Sequence, residues 1–232
     1  MLKLLSLFLE SRCPFCDRVA YPKGNRTATD FICEYCLKKL LSHKLSQGDR
    51  RKYWHDLSLF AWGKYDGQLK RAIALMKYDN NTEIGSILGK LLGQAWLNSG
   101  LSKFLSQVTV VPIPLHRSKL ESRGFNQAEI IAKGFCQRSG YSLNSQALIR
   151  TRQTKAMFDL NPEERKKNLQ RAFKLGKKLP RHPVLLVDDI YTTGTTVRES
   201  ATVLQQHEIK VVGVVAIAKA GNNTSSNKFH NR

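Results

Sequence analysis

From about Leu57 to Ala218 the apolar positions switch repeatedly between short continuous runs and helical spacing. Leu57 to Tyr65 reads as a strand leaving an N-terminal segment, and Gly67 to Lys77 as a helix ending near Tyr78-Asp-Asn-Asn. Thr82 to Leu97 is a strong helix: Ile84, Ile87, Leu88, Leu91, Leu92 and Ala95 recur at 3.6-residue spacing. Gly85, Gly89 and Gly93 fall four apart on a neighbouring face. Glycine weakens a helix, so close packing against another element is expected there. Val108 to Val111 is a short β-rich run closed by Pro112-Ile113-Pro114, where proline ends the ladder. Asn126 to Arg138 follows as a helix with Ala128, Ile131, Ala132 and Phe135 on one side. Arg150 to Arg171 is highly charged and weakly periodic, and reads as a mobile loop with helical turns. Val184 to Val187 is fully apolar, the pattern of a parallel strand buried on both faces. Val197, Ala201 and Leu204 mark another helix, and Val211 to Ala218 a last strand. The alternation predicts an α/β fold, an open and mostly parallel sheet flanked by helices.

Ahead of that domain, the run Leu4 to Leu9 is too short for a membrane span and has no small-residue cleavage site. It is expected to be a short helix with Leu2, Leu5 and Leu9 on one face, in a cytoplasmic protein. Four of the five cysteines follow a tight pattern, Cys13-x2-Cys16-x16-Cys33-x2-Cys36. Each C-x-x-C turn aims two thiolates at one ion, and two turns close a tetrahedron, so the pattern predicts a structural Zn²⁺. Two disulfides are the competing reading, but nothing points to an oxidising compartment. The loop between the pairs holds Pro22, Gly24, Asn25 and Thr27 and reads as hairpin-like. Cys136, alone on a helix, reads as a buried small hydrophobe. The expected organisation is a zinc-binding module over 1–50, an α/β domain over 51–221, and a disordered tail over 222–232.

Charge changes the picture further. The chain carries 38 Lys and Arg against 18 Asp and Glu, a net +20. That points to a polyanionic partner (nucleic acid, phosphorylated metabolites or both), against the plainer reading of a solvated basic face. Charge alone does not choose between them.

The segment with most chemistry is Val184 to Thr196. An apolar strand ends in Asp188-Asp189, a small-residue loop follows, and a helix begins. Open α/β sheets build their sites at such strand ends. The loop amides and helix start suit a phosphate. Thr192, Thr193, Thr195 and Thr196 add hydroxyls, and Gly194 lets the backbone approach a ligand. The paired acids suit sugar hydroxyls or a hydrated Mg²⁺. No G-x-x-x-x-G-K-[ST] and no G-x-G-x-x-G occurs, which removes the main support for P-loop and Rossmann readings.

The string LLVDDIYTTGTT, Leu185 to Thr196, resembles the phosphoribosyl pyrophosphate (PRPP) signature of type I phosphoribosyltransferases. VVPIPLHRSKLESRGFNQAEIIAKGF, Val110 to Phe135, resembles the ComF/GntX group, also called ComFC. KYDGQLKRAIALMKYDN, RKKNLQRAF and the four-cysteine module in front are similar to that group too. The resemblance implies the type I phosphoribosyltransferase fold behind a zinc ribbon. It implies that Asp188 and Asp189 meet the ribose hydroxyls, directly or through Mg²⁺, and that Thr192, Thr193, Gly194, Thr195 and Thr196 cradle the 5′-phosphate. The Pro112-Ile113-Pro114 loop falls where related enzymes hold pyrophosphate, with His116, Arg117, Lys119 and Arg123 just after it. Arg165 and Asn168 match an R-x-x-N element of a lid, and Lys77 matches a lysine after the early helix. Two departures stand out. Thr192 replaces an aspartate that serves as base in some purine-salvage relatives, and Met157 stands where the group has a glutamine.

Two functions remain open at this point. One is an enzyme in which pyrophosphate leaves Mg²⁺-PRPP and an unidentified nucleophile captures the ribosyl centre. The other is a non-catalytic protein that keeps this fold. The resemblance implies a role in DNA uptake and natural transformation, on single-stranded DNA at the inner side of the membrane, alongside the uptake machinery. Tyr53, Trp54, Phe60 and Trp62 are candidate stacking aromatics for that role, although such residues are more often core.

Overall fold

A computed structural model describes residues 12–20, 31–54, 57–79, 81–152 and 172–221. The early leucine helix, the inter-cysteine hairpin, the lid element with Met157, Arg165 and Asn168, and the tail lie outside the described residues. In chain order the elements are α1 (Glu34–Leu41), α2 (Gln47–Arg50), β1 (Arg51–Trp54), β2 (Leu57–Lys64), α3 (Gly67–Tyr78), α4 (Thr82–Asn98), a 3-10 turn (Leu101–Lys103), β3 (Thr109–Pro112), α5 (Arg117–Arg123), α6 (Gln127–Ser139), β4 (Ser142–Leu143), β5 (Leu148–Arg150), β6 (Phe173–Leu175), β7 (Val184–Tyr191), α7 (Thr195–Gln205) and β8 (Val211–Lys219).

Six strands form one sheet in the order β1-β2-β8-β7-β3-β4. Five run parallel, and β1 closes one edge antiparallel to β2. The expected α/β architecture is therefore present, with helices on both faces. Period-two alternation assigns the faces. Leu185 and Val187 of β7, with Val215 and Ile217 of β8, join the cluster formed with α4 and α6. Val184, Leu186, Val214 and Ala216 face Val197, Ala201 and Leu204 of α7 and the small β5–β6 sheet. Leu88, Ile131 and Phe135 are fully buried, each contributing about 1.5–3 kcal/mol relative to exposure.

The glycines on α4 have the packing role that their spacing predicts. A Cβ on Gly89 would strike the Ile131 carbonyl of α6, and one on Gly134 would strike the Ser86 carbonyl of α4. The two helices meet backbone to backbone, which holds the start of α6 against the end of β3.

Three expectations need correction. β2 does not leave the N-terminal segment directly, because β1 intervenes and pairs Arg51 with Phe60. β7 does not stop at the acids. It runs on to Tyr191, with Asp188 opposite Ala216 and Tyr191 opposite Lys219, because the backbone ladder tolerates polar side chains facing the sheet's end. Phe60 and Trp62 are 2% and 1% exposed, so they are core residues and no stacking surface. Trp96 meets the Phe60 ring edge-on at 5.3 Å.

The four-cysteine segment is not a separate bead. Cys13, Phe15, Ile32, Cys36 and Leu40 belong to the same cluster as Leu69, Ile73 and Met76 of α3. Lys44 bridges Gly63, and Leu45 donates its N–H to the Trp62 carbonyl. Among the described residues no helix is long and apolar enough to cross a membrane.

Candidate functional site

The carboxyl ends of β3 and β7 are neighbours, with Pro112 opposite Val187. Ile113 donates its N–H to the Val187 carbonyl at 2.9 Å, which fixes the Pro112-Ile113-Pro114 loop beside the acids. Asn126 secures the same loop from behind. Its Nδ2 donates to the Ile113 carbonyl at 3.0 Å, while its Oδ1 accepts from Ala128 N–H at 3.1 Å and caps α6. Arg123 donates to Gln127 Oε1 at 2.7 Å. The RGFNQ segment is thus the brace between the proline loop and α6.

Asp188 Oδ1 accepts from the Asp189 N–H at 2.9 Å, and Asp189 Oδ1 from the Ile190 N–H at 3.0 Å. Asp189 is buried, and its Oδ2 forms an ion pair with Lys77 Nζ, brought from the end of α3. Burial pulls the Lys77 ammonium down, but the Asp189 carboxylate, their hydrogen bond and Asp188 outweigh it, so the net direction is up. Asp188 is partly exposed at the mouth. Burial of its carboxyl group and the Asp189 charge hold it well above the carboxylate range.

Cations gather round this pair. Burial holds the Arg150 guanidinium below its ordinary value, and Asp188 acts against that from close by. Arg150 also lies over the Phe173 ring at 5.3 Å, and its backbone bridges His116. Lys119 is held down by desolvation and by the charges of Arg150, Arg123 and Lys77. Lys77, Lys119, Arg123 and Arg150 are therefore one electrostatic group. Arg150 was not singled out from sequence, because it sits on a three-residue strand amid a charged stretch. Arg117 is not part of the group. It is exposed and pairs with Glu121 one turn on at 2.7 Å. His116 caps α5, accepting from Ser118 N–H.

After β7 the chain turns through Thr192 and Thr193 to Gly194, in the left-handed region at φ +72°. A Cβ there would collide with the Tyr191 hydroxyl, so only glycine fits. α7 starts at Thr195 without a side-chain cap. Its first N–H groups, which have no partner within the helix, stay available to an anion. The Thr193 and Thr195 hydroxyls share a 2.9 Å hydrogen bond. Arg198, one turn along, reaches the Thr195 hydroxyl at 3.5 Å and buries its Nη1 with no hydrogen-bond partner among the described residues. Its position three residues after Thr195 was the available sequence signal.

The second constellation is the cysteine cluster. The four Sγ atoms of Cys13, Cys16, Cys33 and Cys36 lie within 4.8 Å of one another, and all are free thiols, so the disulfide reading fails. A tetrahedron of thiolates about 2.3 Å from Zn²⁺ puts sulfurs about 3.8 Å apart, and the Cys16–Cys33 separation is 3.5 Å. The donor set fits zinc and leaves no open coordination position. Cys13 sits in a turn that accepts the N–H groups of Cys16 and Asp17, and Cys33 begins α1. The hydrogen bond from Arg18 N–H draws the Cys16 thiol down to about 7, while burial pushes Cys13 and Cys36 up. Cys136 is partly buried against the core rather than fully buried as expected, and burial pushes its thiol up to about 12.

A parallel sheet that ends in twin acids, a glycine turn and an uncapped helix start defines the phosphoribosyltransferase class of domain, and the phosphoribosyl transferase domain family matches residues 78–231. The chain belongs to that family, within its ComF/ComFC group. It is 30% identical over 212 residues to the DNA utilization protein YhgH of Salmonella typhi, covering 91% of this chain and 86% of that one. It is 27% identical over 162 residues to competence protein F of Haemophilus influenzae, covering 68% and 71%. To competence protein ComFC of Streptococcus pneumoniae it is 29% identical over 209 residues, covering 89% and 87%.

Proposed function

We propose that this chain binds PRPP, or a closely related 5-phosphoribosyl compound, with Mg²⁺ at the carboxyl end of β7, and serves DNA uptake in the cytoplasm. The observation that carries the reading is the juxtaposition of Asp188-Asp189 with two separate anion-binding features. On one side lie the Gly194 turn and the uncapped start of α7. On the other lies the group formed by Lys77, Lys119, Arg123 and Arg150. A ligand with a phosphate at each end of a polyhydroxyl ring matches that order. The 5-phosphate takes the N–H groups and hydroxyls of the Thr192–Thr196 turn, helped by Arg198. The ribose hydroxyls donate to Asp188. The diphosphate lies along the Pro112-Ile113-Pro114 loop toward Arg150, Lys119 and Arg123.

The acids fit Mg²⁺ as well as they fit a sugar. Both donors are oxygens, and a cation bound beside them favours the ionised form of Asp188 against the burial and the Asp189 charge that raise it. Mg²⁺ is typically held by one or two carboxylates plus ligand oxygens and water. When bound, it neutralises charge on the diphosphate and makes that group easier to displace. The protein's own part is to orient the ribose and to stabilise the departing diphosphate with fixed cations. Transfer to an acceptor then makes the chain a glycosyltransferase. The cysteine cluster holds one structural Zn²⁺.

The test is ligand-induced stabilisation. PRPP with MgCl₂ at 100 times its Kd raises stability by about 2.7 kcal/mol, read as a higher Tm. Asp188→Asn abolishes the increase while keeping the fold. Equal Tm values with and without PRPP and Mg²⁺ at millimolar concentrations sink the proposal.

A second reading, single-stranded DNA binding without turnover, has its own observation. At the opposite end of β3 and β7 lies an open groove of about 660 Å³. Lys178, Arg181, His182, Ser142, Asn144 and Gln146 contribute to its lining, and no carboxylate does. Such a groove tracks a phosphate backbone. Affinity for an oligothymidylate then falls with salt, by roughly 0.7 log units per log unit of salt for each phosphate contacted. Lys178→Glu with Arg181→Glu flattens that dependence. Unchanged affinity and slope in the double variant remove the groove from consideration.

A further inference from the structure

Lys77, which matches a lysine after the early helix in the resembling group and is a candidate ligand-binding residue, pairs its ammonium with Asp189. What places it there is α3, which packs between α1 of the cysteine module and α4, and whose start is held from the module's side. At the helix start the cap residue Asp66 makes no side-chain bond to the helix. The imidazole of His43, two residues beyond the end of α1, replaces that cap. Its Nε2 accepts from the Gln68 N–H at 3.1 Å, while Nδ1 meets Asp66 Oδ1 at 2.6 Å. Gly67 is in the left-handed region at φ +44°, and a Cβ on it would run into the His43 ring. Along its length α3 buries Leu69, Ala72, Ile73 and Met76 in the cluster that holds Cys36 and Leu40, the two buried residues of α1. Cys33 and Cys36, which begin α1, are half of the metal-ligand set. One continuous path of packed side chains thus runs from the thiolates through α1 and α3 to Asp189.

We propose that the four-cysteine module is a positioning device for the phosphoribosyl site: by clamping α3, it sets Lys77 in place as the built-in counter-cation of Asp189. The proposal rests on the reading of Asp188-Asp189 as the ligand site only for its functional consequence. The coupling itself is a property of the fold. With Lys77 in place, one acid of the pair is already neutralised and fixed, and Asp188 is left to meet the ligand. With the module loosened, α3 loses its cap and one packing contact, and Lys77 leaves the buried Asp189 carboxylate without its ion-pair partner. By linkage, zinc and the phosphoribosyl ligand favour each other's binding by the same factor.

The experiment reads Lys77 directly in the full-length chain. Acylation of lysine amines by a water-soluble ester, mapped by mass spectrometry, is slow at Lys77 in zinc-loaded protein. It rises about tenfold after chelation and returns to the slow rate when zinc is restored. His43→Ala, assayed in zinc-loaded protein with metal content confirmed, raises Lys77 labelling in the same direction. Hydrogen exchange in β7 and β8 stays protected in that variant, which separates release of α3 from general unfolding. In parallel, chelation weakens PRPP binding about tenfold in wild type, and adds little in Lys77→Met, where the coupling has already been removed. Lys77 labelling that is equal in zinc-loaded wild type and zinc-loaded His43→Ala overturns the positioning role, and so does labelling unchanged by chelation. If Lys77 responds as expected but PRPP binds neither form, the coupling stands and the ligand assignment fails.

Discussion

Replacing Lys77 by methionine removes the charge and keeps most of the volume. Lys77 retains 18% of its side-chain exposure and Asp189 8%, so the surviving carboxylate is left in a nearly dry position. Removing one partner of a buried pair costs about 3–5 kcal/mol. Asp189 Oδ1 keeps the Ile190 N–H bond and other cations lie near, which places the expected loss at the low end, about 3 kcal/mol. With a urea m-value of about 2 kcal/mol/M, the unfolding midpoint drops by about 1.5 M. The double variant Lys77→Met with Asp189→Asn removes both charges and recovers most of that loss, because a buried pair is worth far less than either charge left alone. The assay is urea unfolding followed by circular dichroism for wild type, both single variants and the double. A Lys77→Met cost under about 0.5 kcal/mol, with costs that simply add in the double variant, refutes the view that this pair is buried and coupled.

Three further outcomes follow from the same geometry. Asp188 is raised in the folded chain, so its protonated form is favoured there: this group's contribution is most favourable below the ordinary value of 3.8 and is lost as pH rises toward the raised folded value. Asp188→Asn is therefore more stable than wild type at pH 7, with the gain shrinking toward pH 4 in a Tm-against-pH series, even as ligand binding is lost. Gly194→Ala meets both the left-handed backbone penalty and the Tyr191 hydroxyl, and costs about 1–3 kcal/mol in urea unfolding while removing the PRPP-induced rise in Tm. Cys33→Ser lowers bound zinc below one per chain by metal analysis and removes the thiolate charge-transfer bands of the cobalt-substituted protein.

Much of the sheet was legible because buried parallel strands are continuous apolar runs. Val184 to Val187 and Val211 to Ala218 could hardly be anything else, and the helices of α4 and α6 announce themselves by spacing. β1 was not legible, since Arg51 to Trp54 is an edge strand with no apolar run to mark it. The extension of β7 through Asp188 and Asp189 was hidden for a related reason: the ladder is made by backbone, and the side chains there serve the site. The site itself was half legible. The acids and the threonine turn are contiguous, so their string is readable. The partners come from elsewhere in the chain: Lys77 from α3, marked beforehand by the family resemblance alone, and Arg150 from β5 and the His43 clamp from the cysteine module, which nothing marked. Only folding brings such residues together, and no local pattern encodes a meeting between positions 77 and 189. Arg117 shows the opposite case, a basic residue in the right segment that the helix turns toward solvent and Glu121.

Where a phosphoribosyl ligand sits decides what the carboxyl end of β7 is for. Crystals of the zinc-loaded protein soaked with PRPP and MgCl₂ should show the 5-phosphate against the backbone of Thr192 to Thr196, ribose hydroxyls on Asp188, and the diphosphate directed to Arg150 and Lys119. Density for the ligand elsewhere, or a turn still closed by the Thr193–Thr195 hydroxyl pair at saturating PRPP, contradicts it.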